Sequence, residues 1–295
     1  MQNATNNIKP HYTDFRSVAR ALTIVENDLP GADALLKSLS FTKSPPIIGI
    51  TGPPGAGKST LVNSLISGLL SSGSKIAVLA IDPTSPFNFG SLLGDRIRMA
   101  PHFNHPDVFI RSLATRGSLG GLSAKAIEMT DVLRAAEFDY ILVETVGVGQ
   151  SEIEIAGLAD ITLLVLVPES GDEIQNIKSG LMEIADAFIV NKSDRADADL
   201  FVNNLKKIQN KEHQLPVFKT VASKNAGIDE VINFIRSKSN TKNSRKELLL
   251  AEKAYQLIQQ KRMAGIDKKK LQQDLTKALN DPGFNLYEFI SPLTP

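Results

Sequence analysis

The chain has 295 residues, 33 Lys and Arg against 32 Asp and Glu, a formal net charge of +1, and no cysteine. This balance removes the usual electrostatic argument for nucleic acid or a membrane surface as the main partner. The lack of cysteine excludes disulfides and thiolate metal sites. An apolar fraction of 42% is enough for an ordinary globular core. No run approaches the ~18–20 apolar residues of a transmembrane helix; the longest clear one is Ile161-Thr162-Leu163-Leu164-Val165-Leu166-Val167. The start, Met1-Gln2-Asn3-Ala4, lacks the charged region and apolar core of a secretory leader, so a cytoplasmic location is expected.

Residues 1–45 read as an N-terminal helical extension. Phe15, Val18, Ala19, Leu22 and Val25 recur at helical spacing, and Leu35, Leu36 and Leu39 follow a break at Pro30-Gly31. From Ile47 onward, apolar runs at 47–50, 76–81, 109–113, 140–143, 161–167, 187–190 and 217–221 alternate with helical stretches. The runs are almost continuously apolar, as strands buried on both faces must be. The expectation is therefore an α/β domain over 46–238, with a mostly parallel sheet covered by helices on both sides. A polar linker, Lys238-Ser239-Asn240-Thr241-Lys242-Asn243-Ser244, leads into a C-terminal helical arm at 239–295, with helices expected over 245–263 and 267–280. Leu271, Leu275 and Leu279 give the second of these an apolar stripe. The apolar tail Phe284-Asn285-Leu286-Tyr287-Glu288-Phe289-Ile290 must pack somewhere; a dimer arm and a helix pair folded back on its own domain both satisfy this pattern.

Gly52-Pro53-Pro54-Gly55-Ala56-Gly57-Lys58-Ser59 matches G-x-x-x-x-G-K-[ST] in full, after an apolar strand and before a helix that starts Thr60-Leu61-Val62. The glycines allow a tight turn that points backbone N–H groups at phosphate oxygens, and the helix N-terminus adds partial positive charge. Residues 52–60 are thus the candidate triphosphate cradle, with Lys58 set to bridge β- and γ-phosphates and Ser59 to offer its hydroxyl to Mg²⁺.

Three acids are candidate metal partners. Asp82 and Glu144 end expected strands, and Asp95 lies in the loop between. Ligands of open α/β sheets bind at the carboxyl ends of the strands, and Mg²⁺ takes oxygen ligands while keeping several waters. Asp82 also suits a turn before Pro83, and Asp95 a solvated loop. Glu144-Thr145-Val146-Gly147 is an acid-x-x-Gly pattern in which Gly147 can present its N–H to the γ-phosphate. Asn191-Lys192-Ser193-Asp194 follows another expected strand and reads N-K-x-D. An Asp there accepts from N1–H and the exocyclic amine of guanine, groups that adenine cannot offer, so GTP is the expected nucleotide. Lys192 can lay its stem along the base, and Asn191 can tie the loop together. Ser223, Lys224 and Asn225 lie in a turn whose N–H groups can meet the guanine carbonyl, or in a plain turn.

Taken together, these motifs resemble the methylmalonyl-CoA mutase-associated GTPases, which include the methylmalonic aciduria type A proteins and chains once labelled arginine/ornithine transport ATPases. The resemblance also rests on Ala80-Ile81-Asp82-Pro83-Thr84-Ser85-Pro86, Leu93-Gly94-Asp95-Arg96-Ile97-Arg98-Met99, Arg116-Gly117-Ser118-Leu119-Gly120-Gly121 and Gly171-Asp172-Glu173-Ile174-Gln175, and it covers roughly residues 10–240. It implies a GTPase, normally a homodimer, that chaperones a coenzyme-B12-dependent acyl-CoA mutase, gates adenosylcobalamin loading and helps remove damaged cofactor. By motif, it places Asp82, Asp95 and Glu144 on the family's metal-associated acids. It also makes 171–178 an additional switch loop with Asp172 and Lys178 as its charges; by itself that loop reads as a strand-to-helix connection with Asp172 as an N-cap.

Two departures stand out. Family members usually carry Pro-Gly-Ala-Gly-Asp where this chain has Pro168-Glu169-Ser170-Gly171-Asp172, which places an extra carboxylate beside the switch. The region after about residue 240 is short and matches weakly, so the dimer arm is expected to be trimmed or rearranged. No general base is evident, and Val148 stands where some GTPases place a water-orienting polar group. The rival readings are a nickel-type metal-inserting GTPase and an ATP-using kinase or transport-coupled ATPase. Scattered histidines and absent cysteine weigh against the first, with His102 and His105 expected to be a solvated loop pair; N-K-x-D weighs against the second.

Overall fold

A computed structural model describes residues 14–82, 99–114, 124–145, 155, 157–169, 184–209, 214–239 and 246–293. The chain divides into two compact units, Met1–Leu250 and Ala251–Pro295. Seven strands form one sheet in the first: β1 (Ile47–Thr51), β2 (Ile76–Asp82), β3 (Val108–Ala114), β4 (Tyr140–Thr145), β5 (Ile161–Leu166), β6 (Ala187–Val190) and β7 (Val217–Lys219), in the order β3-β2-β4-β1-β5-β6-β7. Every pairing is parallel, as continuous apolar runs require.

Both faces are covered. Leu163, Val165 and Ile189 point into a core built with α3 (Lys58–Leu70) and with Val231, Ile232 and Ile235 from the helix at Ile228–Ser239. Leu164, Leu166, Phe188 and Val190 point the other way, onto Phe201, Val202 and Leu205 of the helix at Ala198–Ile208. This alternation is the pleat of a strand buried on two sides. At the far side, α1 (Phe15–Glu26) starts on the Asp14 carboxylate, which accepts from Ser17 N–H at 2.7 Å, and buries Val18, Ala21, Leu22 and Val25. Phe15, Phe109 and Phe138 meet with ring centroids 5.6–6.1 Å apart. A second helix, α2, runs Ala32–Ser38.

Three expectations are adjusted. The last strand stops at Lys219 rather than running to 221, because Val221 turns to bridge Ala226 in an antiparallel pair. The C-terminal helices span Lys246–Met263 and Lys268–Ala278, the second capped by Asp267, which accepts from Lys269 N–H at 2.8 Å. His102 is buried rather than solvated: it sits in a short 3₁₀ turn with its imidazole near the Ser67 hydroxyl of α3, and burial holds its pKa below the ordinary histidine value. In the unit Ala251–Pro295, Phe284 contacts Phe289 at 6.1 Å, while Tyr255, Ile258, Leu279, Leu286 and Tyr287 are exposed. Among the described residues, no helix is long and apolar enough to cross a membrane.

Gly49 shows how tightly β1 is held. A Cβ there would come within 2.9 Å of the Ala159 Cβ and 2.8 Å of Ile155 Cγ1. Overpacking of this kind costs about 1–3 kcal/mol, so Gly49→Ala is expected to lower the urea-unfolding free energy by that amount.

Candidate nucleotide site

The site forms where β1 ends at the centre of the sheet. The register sets Ile50 beside Glu144 and Ile81 beside Thr145, so the carboxyl ends of β1, β2 and β4 open on the same edge. Thr145 Oγ1 donates to Thr51 Oγ1 at 3.1 Å and braces two of these ends from inside.

The turn from β1 into α3 uses backbone that only glycine adopts readily. Gly52, Gly55 and Gly57 have φ of 138°, 79° and 88°. At Gly52 a Cβ would lie 2.1 Å from the Val165 carbonyl oxygen of β5, so no other residue fits there. Gly57 begins α3 without a side-chain cap, which leaves the first-turn N–H groups for an anion. Pro53, Pro54 and Thr60 are at least partly accessible, and Ala56 is buried. Lys58 is buried, its ammonium donating to the Gly52 and Pro53 carbonyls at 2.7 and 2.9 Å.

Ser59 and Glu144 come together as their spacing in the sequence could not show. The Ser59 hydroxyl donates to Glu144 Oε1 at 2.6 Å, and both residues are buried. Two hard oxygen donors side by side at the N-terminus of α3 suit Mg²⁺. Asp82 ends β2 with its backbone paired to Ala114, but its side chain lies outside the described residues. Asp95, Gly147, Asp172 and Lys178 lie wholly outside them.

The second half of the site is built around Asn191, which is 2% exposed. Its amide Nδ2 donates to the Ala56 carbonyl at 3.0 Å. Its Oδ1 accepts from the Thr220 hydroxyl at 3.2 Å and from Ala222 N–H at 3.1 Å. One side chain therefore joins the Gly-rich loop, the β6 exit and the β7 exit. Lys192, at a left-handed φ of 55°, reaches back to donate to the Gly55 carbonyl at 2.7 Å. Asp194 is exposed and accepts from Lys224 Nζ at 2.9 Å; that bond holds its carboxyl below the usual carboxylate range. Ser223, Lys224 and Asn225 form a tight turn, with Asn225 left-handed at φ 54°.

Sequence reasoning passed over Ser64, whose hydroxyl donates to the Ala222 carbonyl at 2.7 Å and ties α3 to that turn. It also passed over Thr220 and the Glu169–Arg195 ion pair. A serine one turn past the Lys-Ser of a phosphate loop carries no local signal, because its partner is 158 residues away.

Asn191→Ala would leave the Ala222 N–H and the Ala56 carbonyl in the interior without this partner. Each orphaned buried group costs about 1–3 kcal/mol. The variant is expected to lose at least that much in urea unfolding and to bind nucleotide more weakly in a fluorescence titration.

The family model described as methylmalonyl Co-A mutase-associated GTPase MeaB matches residues 18–278. A Pyrococcus horikoshii protein, whose name gives GTPase as a provisional assignment, is 45% identical over 276 residues, 90% of this chain and 86% of that protein. GTPase ArgK of Escherichia coli is 42% identical over 183 residues, 60% of this chain and 55% of ArgK. The mouse methylmalonic aciduria type A homolog, mitochondrial, is 44% identical over 147 residues, 50% of this chain and 35% of that protein. The solved LAO/AO transport system kinase superposes with a TM-score of 0.65 at 25% identity, covering 97% of this chain and 94% of that one. HypB from Helicobacter pylori, solved in complex with nickel, reaches 0.51 at 17% identity over 75% of this chain and 94% of its own, a likeness of fold alone. With its Gly-rich loop joined to an N-K-x-D loop on a seven-stranded parallel sheet, this P-loop GTPase belongs, by the match over residues 18–278 and the 45% identity to the Pyrococcus horikoshii protein, to the methylmalonyl Co-A mutase-associated GTPase (MeaB) family.

Proposed function

We propose that the chain binds GTP with Mg²⁺, hydrolyses it to GDP and phosphate, and couples that cycle to an adenosylcobalamin-dependent acyl-CoA mutase, methylmalonyl-CoA mutase or a relative, whose cofactor loading and protection it governs. The observation that carries the client assignment is the match of residues 18–278 to a family described by its association with methylmalonyl Co-A mutase. The 44% identity to the mouse methylmalonic aciduria type A homolog supports it.

In this reading, residues 52–60 cradle the phosphates, the backbone N–H groups coming from the residues other than Pro53 and Pro54, and Lys58 leaves the Gly52 and Pro53 carbonyls to neutralise β- and γ-oxygens. Ser59 and Glu144, with Asp82 and Asp95, hold Mg²⁺, which when bound neutralises charge on the β- and γ-phosphates. Hydrolysis is in-line attack of water on the γ-phosphorus, with cleavage of the bond to the β-γ bridging oxygen and departure of GDP. Gly147 senses the γ-phosphate, and Asp172 and Lys178 on 171–178 respond to the client.

The base is read by Asp194, ionised and acceptor-only, which exchanges Lys224 for N1–H and the amine of guanine. Lys192 flanks the base, Asn191 holds the loop in register with the phosphates, and Ser223, Lys224 and Asn225 line the carbonyl side. Along the chain, the helical segments at 1–45 and 239–295 precede and follow the GTPase domain, and the second serves a homodimer.

Two measurements test this. Single-turnover GTP hydrolysis is expected to be slow alone and to accelerate by at least about tenfold with the cognate mutase, a barrier change of about 1.4 kcal/mol. Equal rates with and without mutase would remove the coupling. Asp194→Asn replaces an acceptor by a donor at the purine 2-position, so binding is expected to move from guanosine to xanthosine nucleotides by roughly two orders of magnitude or more.

A further inference from the structure

Glu169 and Arg195 stand at the exits of adjacent strands and form an ion pair, although each is about half exposed. Their approach follows from the sheet. Leu166 and Val190 are register partners, and Asn191 N–H donates to the Leu166 carbonyl at 2.8 Å, so the two segments leave the sheet side by side. Pro168 fixes the backbone immediately before Glu169. Arg195 N–H donates to the Lys192 carbonyl at 3.1 Å, closing a turn that contains Asp194, the residue before Arg195.

Asp194 already accepts from Lys224 Nζ at 2.9 Å, and the positive charge of Arg195 is close enough to favour its ionised form. Lys224 thus holds the carboxylate that must release its partner to accept from a base, and Arg195, the next residue, carries a second cation that is bound to Glu169 instead. Glu169 offers Arg195 another anion. Its own carboxyl is held below the usual range, first by the Arg195 hydrogen bond and also by the charge of Lys192.

We propose that Glu169 is a positioning residue for base recognition: by binding the Arg195 guanidinium it keeps that cation off Asp194, so that only Lys224 has to yield to the N1–H and amine of guanine. The proposal rests on the reading of Asp194 as the guanine acceptor. It differs from an ordinary surface ion pair in a way that can be measured. A merely structural pair would make loss of either partner equivalent and would act on stability. A decoy for Arg195 makes loss of Glu169 harmful, loss of Arg195 nearly silent, and loss of both silent again.

The test uses the full-length chain, with fluorescent GDP titration, dissociation rates and thermal melting for wild type, Glu169→Ala, Arg195→Ala and the double variant. Glu169→Ala is expected to bind GDP about 3- to 5-fold more weakly at low salt, the scale set by one exposed charge pair, with an unchanged melting temperature. The deficit should shrink as salt screens Arg195 from Asp194. Arg195→Ala and the double variant should bind as wild type does. GDP binding by Glu169→Ala equal to wild type, or a double variant as weak as Glu169→Ala, would overturn the proposal. Asp194→Asn with xanthosine diphosphate separates the two levels. If that variant gains no xanthosine binding, the base reading itself fails; if it does while Glu169→Ala stays normal, only the role of Glu169 fails.

Discussion

The buried carboxamide of Asn191 is the contact on which the nucleotide site depends. It donates to the Ala56 carbonyl in the phosphate loop and accepts from Thr220 and Ala222 at the end of β7. Three segments more than a hundred residues apart in part of their span meet at one side chain. An amide suits this position because it carries donors on one atom and an acceptor on the other; a carboxylate would set negative charge against the Ala56 carbonyl. Rigidity there fixes the distance between the Gly-rich loop and the N-K-x-D loop. The added bonds from Lys192 to Gly55 and from Ser64 to Ala222 make the joint a small network.

The second constraint is the close approach of the phosphate-loop backbone to a strand carbonyl and to the Asn191 side chain. Gly52 lies against the Val165 carbonyl and Gly57 against the Asn191 amide, so the phosphate loop can sit down on β5 and β6 only if those positions lack side chains. The motif glycines therefore serve two ends at once: the left-handed turns that aim N–H groups, and the clearance that lets Asn191 reach Ala56. Because β5 and β6 run in register, the same placement sets the exits of those strands side by side, which is how Glu169 meets Arg195.

Much of this was legible in the sequence, for reasons that can be named. Strands buried on both faces must be continuously apolar, so 47–50, 140–143 and 187–190 were evident without any partner. The phosphate-loop motif announces itself because its pattern is local: the glycines, Lys58 and Ser59 fall within one short stretch of chain. Where the expectation slipped, a tertiary contact had intervened. The run at 217–221 reads as one strand, yet Val221 leaves the ladder to pair with Ala226 and form the turn that Asn191 and Ser64 hold. His102 looks solvated in a polar stretch, yet the 3₁₀ turn presses it against α3.

The sequence by itself determined the class of fold and marked the phosphate-loop motif, the acids eligible for Mg²⁺ and the N-K-x-D loop, because each depends on residue types at short spacing. Only the tertiary structure decided which of these touch. Ser59 and Glu144 are 85 positions apart and share a hydrogen bond of 2.6 Å; Asn191 and Ala56 are 135 apart and share one of 3.0 Å. Contact at such separations is set by strand order and register, β1 lying between β4 and β5. That order comes from the packing of all seven strands together and is written in no single segment of the chain.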